Sequence, residues 1–181
     1  MIEPRFVTAG DRTYPTLSAH LTQQLEEIVP SVSASLRYFP CCVKLKDGQT
    51  IDRVYVVEAQ PYITHWGVWP DQDPHKHEVR SEDVTDIYES LSRLPAQFAN
   101  ELYEAGESGM GYTVFTVRFS DGTESAHASG NAIDFISLPI GQSVADIVEV
   151  FPHKGRDRAM SDSVPYYWCI HGSGKPRGGI G

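Results

Sequence analysis

His75 and His77 stand two residues apart in the stretch Pro70-Asp71-Gln72-Asp73-Pro74-His75-Lys76-His77-Glu78-Val79-Arg80, with His65 upstream. On an extended chain alternate side chains project to the same side, so this pair would present two imidazoles together. Imidazole and carboxylate groups bind zinc and other first-row divalent metals, and Asp71 or Asp73 would add an oxygen ligand. His65, Asp71, Asp73, His75 and His77 therefore form a candidate set for zinc or a similar divalent cation. The chemistry such a set supports is metal-assisted hydrolysis. Neither an H-E-x-x-H helix motif nor a paired C-x-x-C is present. The plainer alternative is an exposed polar loop whose shape is set by Pro70 and Pro74.

Tyr62, Trp66 and Trp69 lie just upstream of Asp71 and Asp73. Aromatic faces with acids beside them hold cations such as Lys, Arg or a quaternary ammonium group. The competing reading makes the two tryptophans core residues, as their size favours. Together, Tyr62, Trp66, Trp69, Asp71, Asp73, His75, His77 and Glu78 form the candidate surface for a protein partner.

Other sites lack the context their chemistry needs. Gly106-Glu107-Ser108-Gly109-Met110-Gly111 is glycine-rich, but it follows an expected helix and precedes a strand, the reverse of a dinucleotide fingerprint. Gly174-Lys175 has Cys169 and Pro176 where a phosphate loop needs Gly and Ser or Thr. Ser108 stands outside a G-x-S-x-G frame, so Ser108 with His127 and Glu107 or Asp134 gives no recognisable triad. Glu101 and Glu104 fall at helical spacing and read as a solvated face.

Composition narrows the partners. The chain has 181 residues, 40% apolar and 22% charged, with a formal charge of −9. These values describe a soluble globular protein able to bury a core. Five basic and two acidic residues between His153 and Gly181 make that end +3 and leave −12 on the rest. An acidic body repels phosphate backbones, which argues against general nucleic-acid binding. No apolar run approaches the ~20 residues of a membrane span. No basic-then-apolar leader follows Met1. Cys41, Cys42 and Cys169 do not suggest a disulfide framework, although pairing of Cys41 or Cys42 with Cys169 stays open. A cytoplasmic location is the expectation.

The elements that must position these residues can be read from periodicity. Leu17, Leu21, Leu25 and Ile28 predict a helix over 16–29, capped by Thr13 or Thr16 and closed by Pro30. Strands are expected at 42–46, 50–59, 62–69 and 84–89, then a helix over 95–105. Further strands are expected at 115–120, 124–129, 133–138 and 145–151, joined by tight turns and paired antiparallel. Tyr166-Tyr167-Trp168-Cys169-Ile170 is an apolar knot expected to dock on the body. The Gly-rich end is expected to be mobile.

Two segments repeat. Val43-Lys44-Leu45-Lys46-Asp47-Gly48 matches Val117-Arg118-Phe119-Ser120-Asp121-Gly122, and Val84-Thr85-Asp86-Ile87 matches Val144-Ala145-Asp146-Ile147. Asp-Gly suits a hairpin turn. Asp47 lies 37 positions before Val84, and Asp121 lies 23 before Val144, so the first copy carries 14 extra residues. That excess points to the 70–80 loop as the elaborated segment. The strand–Asp-Gly–strand rhythm resembles, at the level of fold alone, small SH3-like or Sm-like barrels, and implies no activity.

The expected protein is α+β and mainly antiparallel, with two related β units, one helix before them and one between. Its segments are a helical 1–40, a first β unit at 41–91, a helix and Gly-rich connection at 92–111, a second β unit at 112–152, and a basic Gly-rich tail at 153–181. The expected function is protein binding through an acidic face, in one version an inhibitor or immunity-type protein. Alternatives are a metal-dependent hydrolase built on the His/Asp set and a structural subunit of an assembly.

Overall fold

The computed structural model describes residues 6–130, 132–161 and 164–173. In chain order the elements begin with β1 (Phe6–Ala9), β2 (Arg12–Pro15), α1 (Ala19–Glu26), β3 (Ser31–Ser33), β4 (Leu36–Leu45), β5 (Thr50–Glu58) and α2 (Ala59–Trp66). A 3-10 turn at Pro70–Gln72 leads to β6 (His77–Glu78), and another at Ser81–Asp83 leads to β7 (Val84–Tyr88). Then come α3 (Ala96–Ala105), β8 (Thr113–Phe119), β9 (Glu124–Ser129), a 3-10 turn at Val144–Asp146, β10 (Ile147–Pro152), β11 (Met160–Ser161) and β12 (Tyr167–His171). The class is α+β with antiparallel and mixed sheets, as the sequence predicts. Among the described residues no helix is long and apolar enough to cross a membrane.

The chain forms two compact units. Unit 1 comprises Met1–Val29, Ser35–Glu89 and Tyr166–Gly181; unit 2 comprises Pro30–Ala34 and Ser90–Pro165.

In unit 1 the strands lie in the order β7-β4-β5-β12-β6, with β4 antiparallel to β5 and β7. The α1 stripe works as expected: Leu21, Leu25 and Ile28 are buried with Val43, Val54, Val56 and Ile87, and Leu17 packs against them. Full burial of such a side chain is worth roughly 1.5–3 kcal/mol. The helix is shorter than expected because Ser18, not Thr13 or Thr16, caps it by accepting the Leu21 N–H at 3.2 Å.

The expected strand at 62–69 is a helix. Pro61 stands in the first turn of α2, where its missing N–H has no partner to lose. Gly67, at φ 76°, takes the left-handed cap and donates to the Ile63 carbonyl at 2.9 Å. Tyr62 and Trp66 are therefore one helical turn apart.

The apolar knot does more than dock. Tyr167–His171 enters the sheet as β12, parallel to both β5 and β6. Gly172 follows at close quarters, since a Cβ there would lie 2.6 Å from the Tyr14 carbonyl oxygen. The expected mobile end from 174 onward lies outside the described residues. Cys41, Cys42 and Cys169 are free thiols, and Cys41 and Cys169 sit on opposite neighbours of β5, so neither bridge left open is made.

In unit 2 the order is β10-β8-β9-β11, with β8 antiparallel to both neighbours and β11 parallel to β9. Ala99 and Leu102 of α3 are buried with Phe115, Val117, Phe119 and Val150. The expected strand at 133–138 makes one isolated bridge, Arg93 to Phe135. Ile133, Phe135 and Ile136 are buried beside Asp134, which accepts hydrogen bonds from the Ser31 hydroxyl and, at 2.5 Å, from the Tyr103 hydroxyl. A buried carboxylate needs such partners, and they override strand geometry. The expected strand from Ala145 starts later, after the 3-10 turn.

Both Asp-Gly hairpins carry the same main-chain bonds. Leu45 donates to Gln49 and Lys46 to Asp83, each at 2.8 Å; Phe119 donates to Thr123 at 2.9 Å and Ser120 to Asp146 at 2.8 Å. Asp83 therefore corresponds to Asp146, and Val84 to Ile147. Cross-strand pairing agrees, with Leu45 opposite Val84 and Phe119 opposite Ile147. The expected V-x-D-I match is off by three residues. Asp121 lies 26 positions before Ile147, so the excess in the first copy is 11, not 14.

Candidate functional site

The aromatic group and the acids anticipated from the sequence meet in unit 1, but in altered roles. Tyr62 and Trp69 are 0% and 1% exposed, so they support a surface and do not form it. Their rings stack at 6.0 Å. Trp168 of β12 meets Tyr62 edge-on at 5.1 Å. Trp66, half-buried, is the outer member. The cation that aromatic faces attract is the chain's own: Lys76 Nζ lies 4.3 Å from the Trp66 ring centre and 5.5 Å from that of Tyr62, and donates to the Tyr62 hydroxyl at 3.3 Å. Desolvation lowers the Lys76 pKa, and Asp73 opposes that shift. Desolvation likewise raises the Tyr62 phenol well above its ordinary value.

The proposed metal ligands disperse. His65 is exposed and meets Trp66 edge-on at 4.9 Å. Asp71 is paired with Arg12 at 2.8 Å. Asp73 accepts the His75 main-chain N–H at 3.0 Å, which shapes the turn. His75 is exposed, and His77 rests on the Tyr167 ring at 5.7 Å. Among the described residues no three His, Cys, Asp or Glu side chains gather as a metal site.

A cleft of about 280 Å³ opens beside this loop. Arg12, Thr13 and Tyr14 of β2 line one side; Glu78, Arg80, Ser81 and Glu82 line another, with Ile170 of β12 between. Two of its charges are neutralised in place, Arg12 by Asp71 and Arg80 by Glu82 at 3.2 Å. The Glu78 carboxylate makes no side-chain hydrogen bond or ion pair among the described residues. Its carboxyl pKa is raised, first by desolvation and then by Asp71, against the pull of Arg12. Glu78 is exposed where it lines the cleft, so its desolvation is partial. The Ser81 hydroxyl is buried and also lacks a partner among the described residues. A carboxylate that lines a cleft without an ion-pair partner is arranged to accept hydrogen bonds from a cation.

Of the residues singled out in the sequence, the cleft brings together Glu78 and, through Arg12, Asp71. Arg12, Tyr14, Ser81, Glu82 and Ile170 carry no sequence signal for it. The alternation Arg12-Thr13-Tyr14 marks β2 as a strand, but nothing local says that β12 will place it beside Glu78.

The other acids and nucleophiles are separate. His127 is 1% exposed, stacked on Phe115 at 5.4 Å and 2.7 Å from the Ser125 hydroxyl. Asp134 is enclosed by Ser31 and Tyr103. Glu107 accepts the Gly111 N–H at 3.2 Å, while Glu101 and Glu104 are exposed. The imidazole beside Ser108 is that of His153. Comparison with known protein families, with curated proteins and with solved structures finds no match for this chain.

Proposed function

We propose that this is a binding protein whose unit 1 receives a cationic side chain, Lys or Arg, of a protein partner against Glu78. The observation that carries the reading is the position of the Glu78 carboxyl: it lines a cleft with Arg12, Tyr14 and Ile170, has no ion-pair partner among the described residues, and has a raised pKa. A guanidinium or ammonium group would pair with the carboxylate and offset the cost of its desolvation. Arg12 and Arg80, already paired, frame the opening and hold it to a single positive group. The net charge of −9 would speed encounter with a basic surface. An inhibitor or immunity-type role, occluding a basic enzyme, is the version this charge suits best.

The test is an amide-resolved NMR titration with acetyl-Gly-Arg-Gly-amide and its citrulline counterpart. The arginine peptide should shift Tyr14, Glu78 and Ser81, with the effect fading as salt rises. The citrulline peptide and the Glu78→Gln variant should show no such shifts. Equal shifts in wild type and Glu78→Gln would overturn the reading. Binding should also weaken on acidification, starting above the ordinary carboxylate range of about 4.3 because the Glu78 pKa is raised.

A further inference from the structure

In unit 2, residues 106–111 and the turn after β10 bring Ser108 and His153 together. Ser108 Oγ lies 2.7 Å from His153 Nδ1. The other ring nitrogen, Nε2, lies 3.2 Å from the Ala105 carbonyl oxygen, which can only accept. For a neutral imidazole this fixes the tautomer: Nε2 carries the proton and Nδ1 is bare. The Ser108 O–H has two acceptors, Nδ1 at 2.7 Å and the Val114 carbonyl at 3.3 Å; the shorter contact takes the proton to Nδ1, while Ser108 Oγ itself accepts the Val114 N–H at 2.8 Å. A hydroxyl bonded to a base, and a base oriented by a third group, is the arrangement of an activated nucleophile.

The surrounding backbone holds His153 in place. His153 adopts φ 63°, a left-handed conformation uncommon outside glycine, and its N–H donates to the Val114 carbonyl at 2.7 Å. Thr116 Oγ1 donates to the Lys154 carbonyl at 3.0 Å. Gly155, at φ 90°, packs so closely that a Cβ would meet Thr116 Oγ1 at 2.5 Å. The imidazole is thus presented by a fixed turn. The Arg156 guanidinium lies over the Tyr112 ring, donates to its hydroxyl at 2.7 Å, and places Nη2 3.4 Å from the Ser108 carbonyl oxygen. Lys154 and Arg158 are exposed on the same turn.

We infer that Ser108 and His153 form a nucleophile–base pair for acyl transfer from small anionic carboxylic esters, with Arg156 attracting the negative charge. Ser108 Oγ adds to the ester carbonyl carbon as His153 Nδ1 takes its proton, and the carbonyl π pair moves to oxygen. Collapse breaks the bond to the leaving alcohol, which receives the proton from His153. Water then attacks the acyl-serine with His153 again as base, releasing the carboxylic acid and restoring Ser108. The balance is ester plus water to acid plus alcohol.

The experiment uses the full chain with two probes: a fluorophosphonate, located by peptide mapping, and mono-p-nitrophenyl succinate compared with p-nitrophenyl acetate. Wild type should carry the adduct on Ser108, and Ser108→Ala should not. His153→Asn tolerates the left-handed backbone, so it should fold yet label about a hundredfold more slowly. The succinate ester should be hydrolysed faster than the acetate, a preference that Arg156→Gln removes. No adduct on Ser108 of the folded wild type would overturn the inference, leaving a hydrogen-bonded clip. Equal labelling of wild type and a folded His153→Asn would overturn it as well.

Discussion

The ammonium of Lys76 sits 4.3 Å from the centre of the Trp66 ring, so a cation from the polar loop occupies the aromatic face at the C-terminal end of α2. Cation–π contacts of this kind contribute about 0.5–2 kcal/mol, and the aliphatic stem adds packing. Lys76→Ala should destabilise the protein by about 1 kcal/mol, and Lys76→Met by less because the stem is kept. Urea unfolding followed by tryptophan fluorescence checks this. Unchanged stability in Lys76→Ala would mean that the contact contributes nothing.

Asp134 is fully buried, and its hydrogen bonds from Ser31 and Tyr103 are joined by Arg93, which reaches Ser31 Oγ at 3.1 Å and lies 3.9 Å from the carboxylate. Removing one charge of such a group strands the other. Asp134→Ala should cost roughly 3–5 kcal/mol. Tyr103→Phe, which removes one neutral donor, should cost about 1–3 kcal/mol. Chemical denaturation of both variants is the check, and the ordering of the two is the diagnostic.

His171 ends β12 and is buried, which depresses its pKa below the ordinary 6.5; its bond with the Gly172 carbonyl oxygen opposes the shift only in part. The unfolded chain therefore takes up a proton before the folded one does. Stability from this group is present above about pH 6.5 and is lost as pH falls toward and through the lowered value. The melting temperature should drop between pH 7.5 and pH 5.5, and His171→Gln should flatten that dependence. An identical pH profile in the variant would assign the loss to other groups.

The hairpins, the α1 stripe and the alternation of β8 were legible because each depends on neighbours within a few residues. Asp47-Gly48 and Asp121-Gly122 turn the chain wherever flanking strands alternate. Local reading failed where short signals competed. Tyr62, Trp66 and Trp69 suit a strand by type, yet Pro61 in a first turn and Gly67 as a left-handed cap mark a helix. The two V-x-D-I segments lie three residues out of structural register because a 3-10 turn stands where the second copy shows the motif.

The sequence by itself determined the α+β class, the two Asp-Gly hairpins and the loop that supplies Glu78, since turn chemistry and periodicity are local. Only the tertiary structure decided that the loop's cation belongs to Trp66, that its described histidines and acids gather in no group of three, and that Glu78 shares a cleft with Tyr14, Ser81 and Ile170. That outcome rests on β12, drawn from the far end of the chain into parallel pairing with β5 and β6. Parallel pairing across 113 residues to β5 and 90 to β6 leaves no local pattern, because its register is set by which apolar faces are buried together and not by any turn between them.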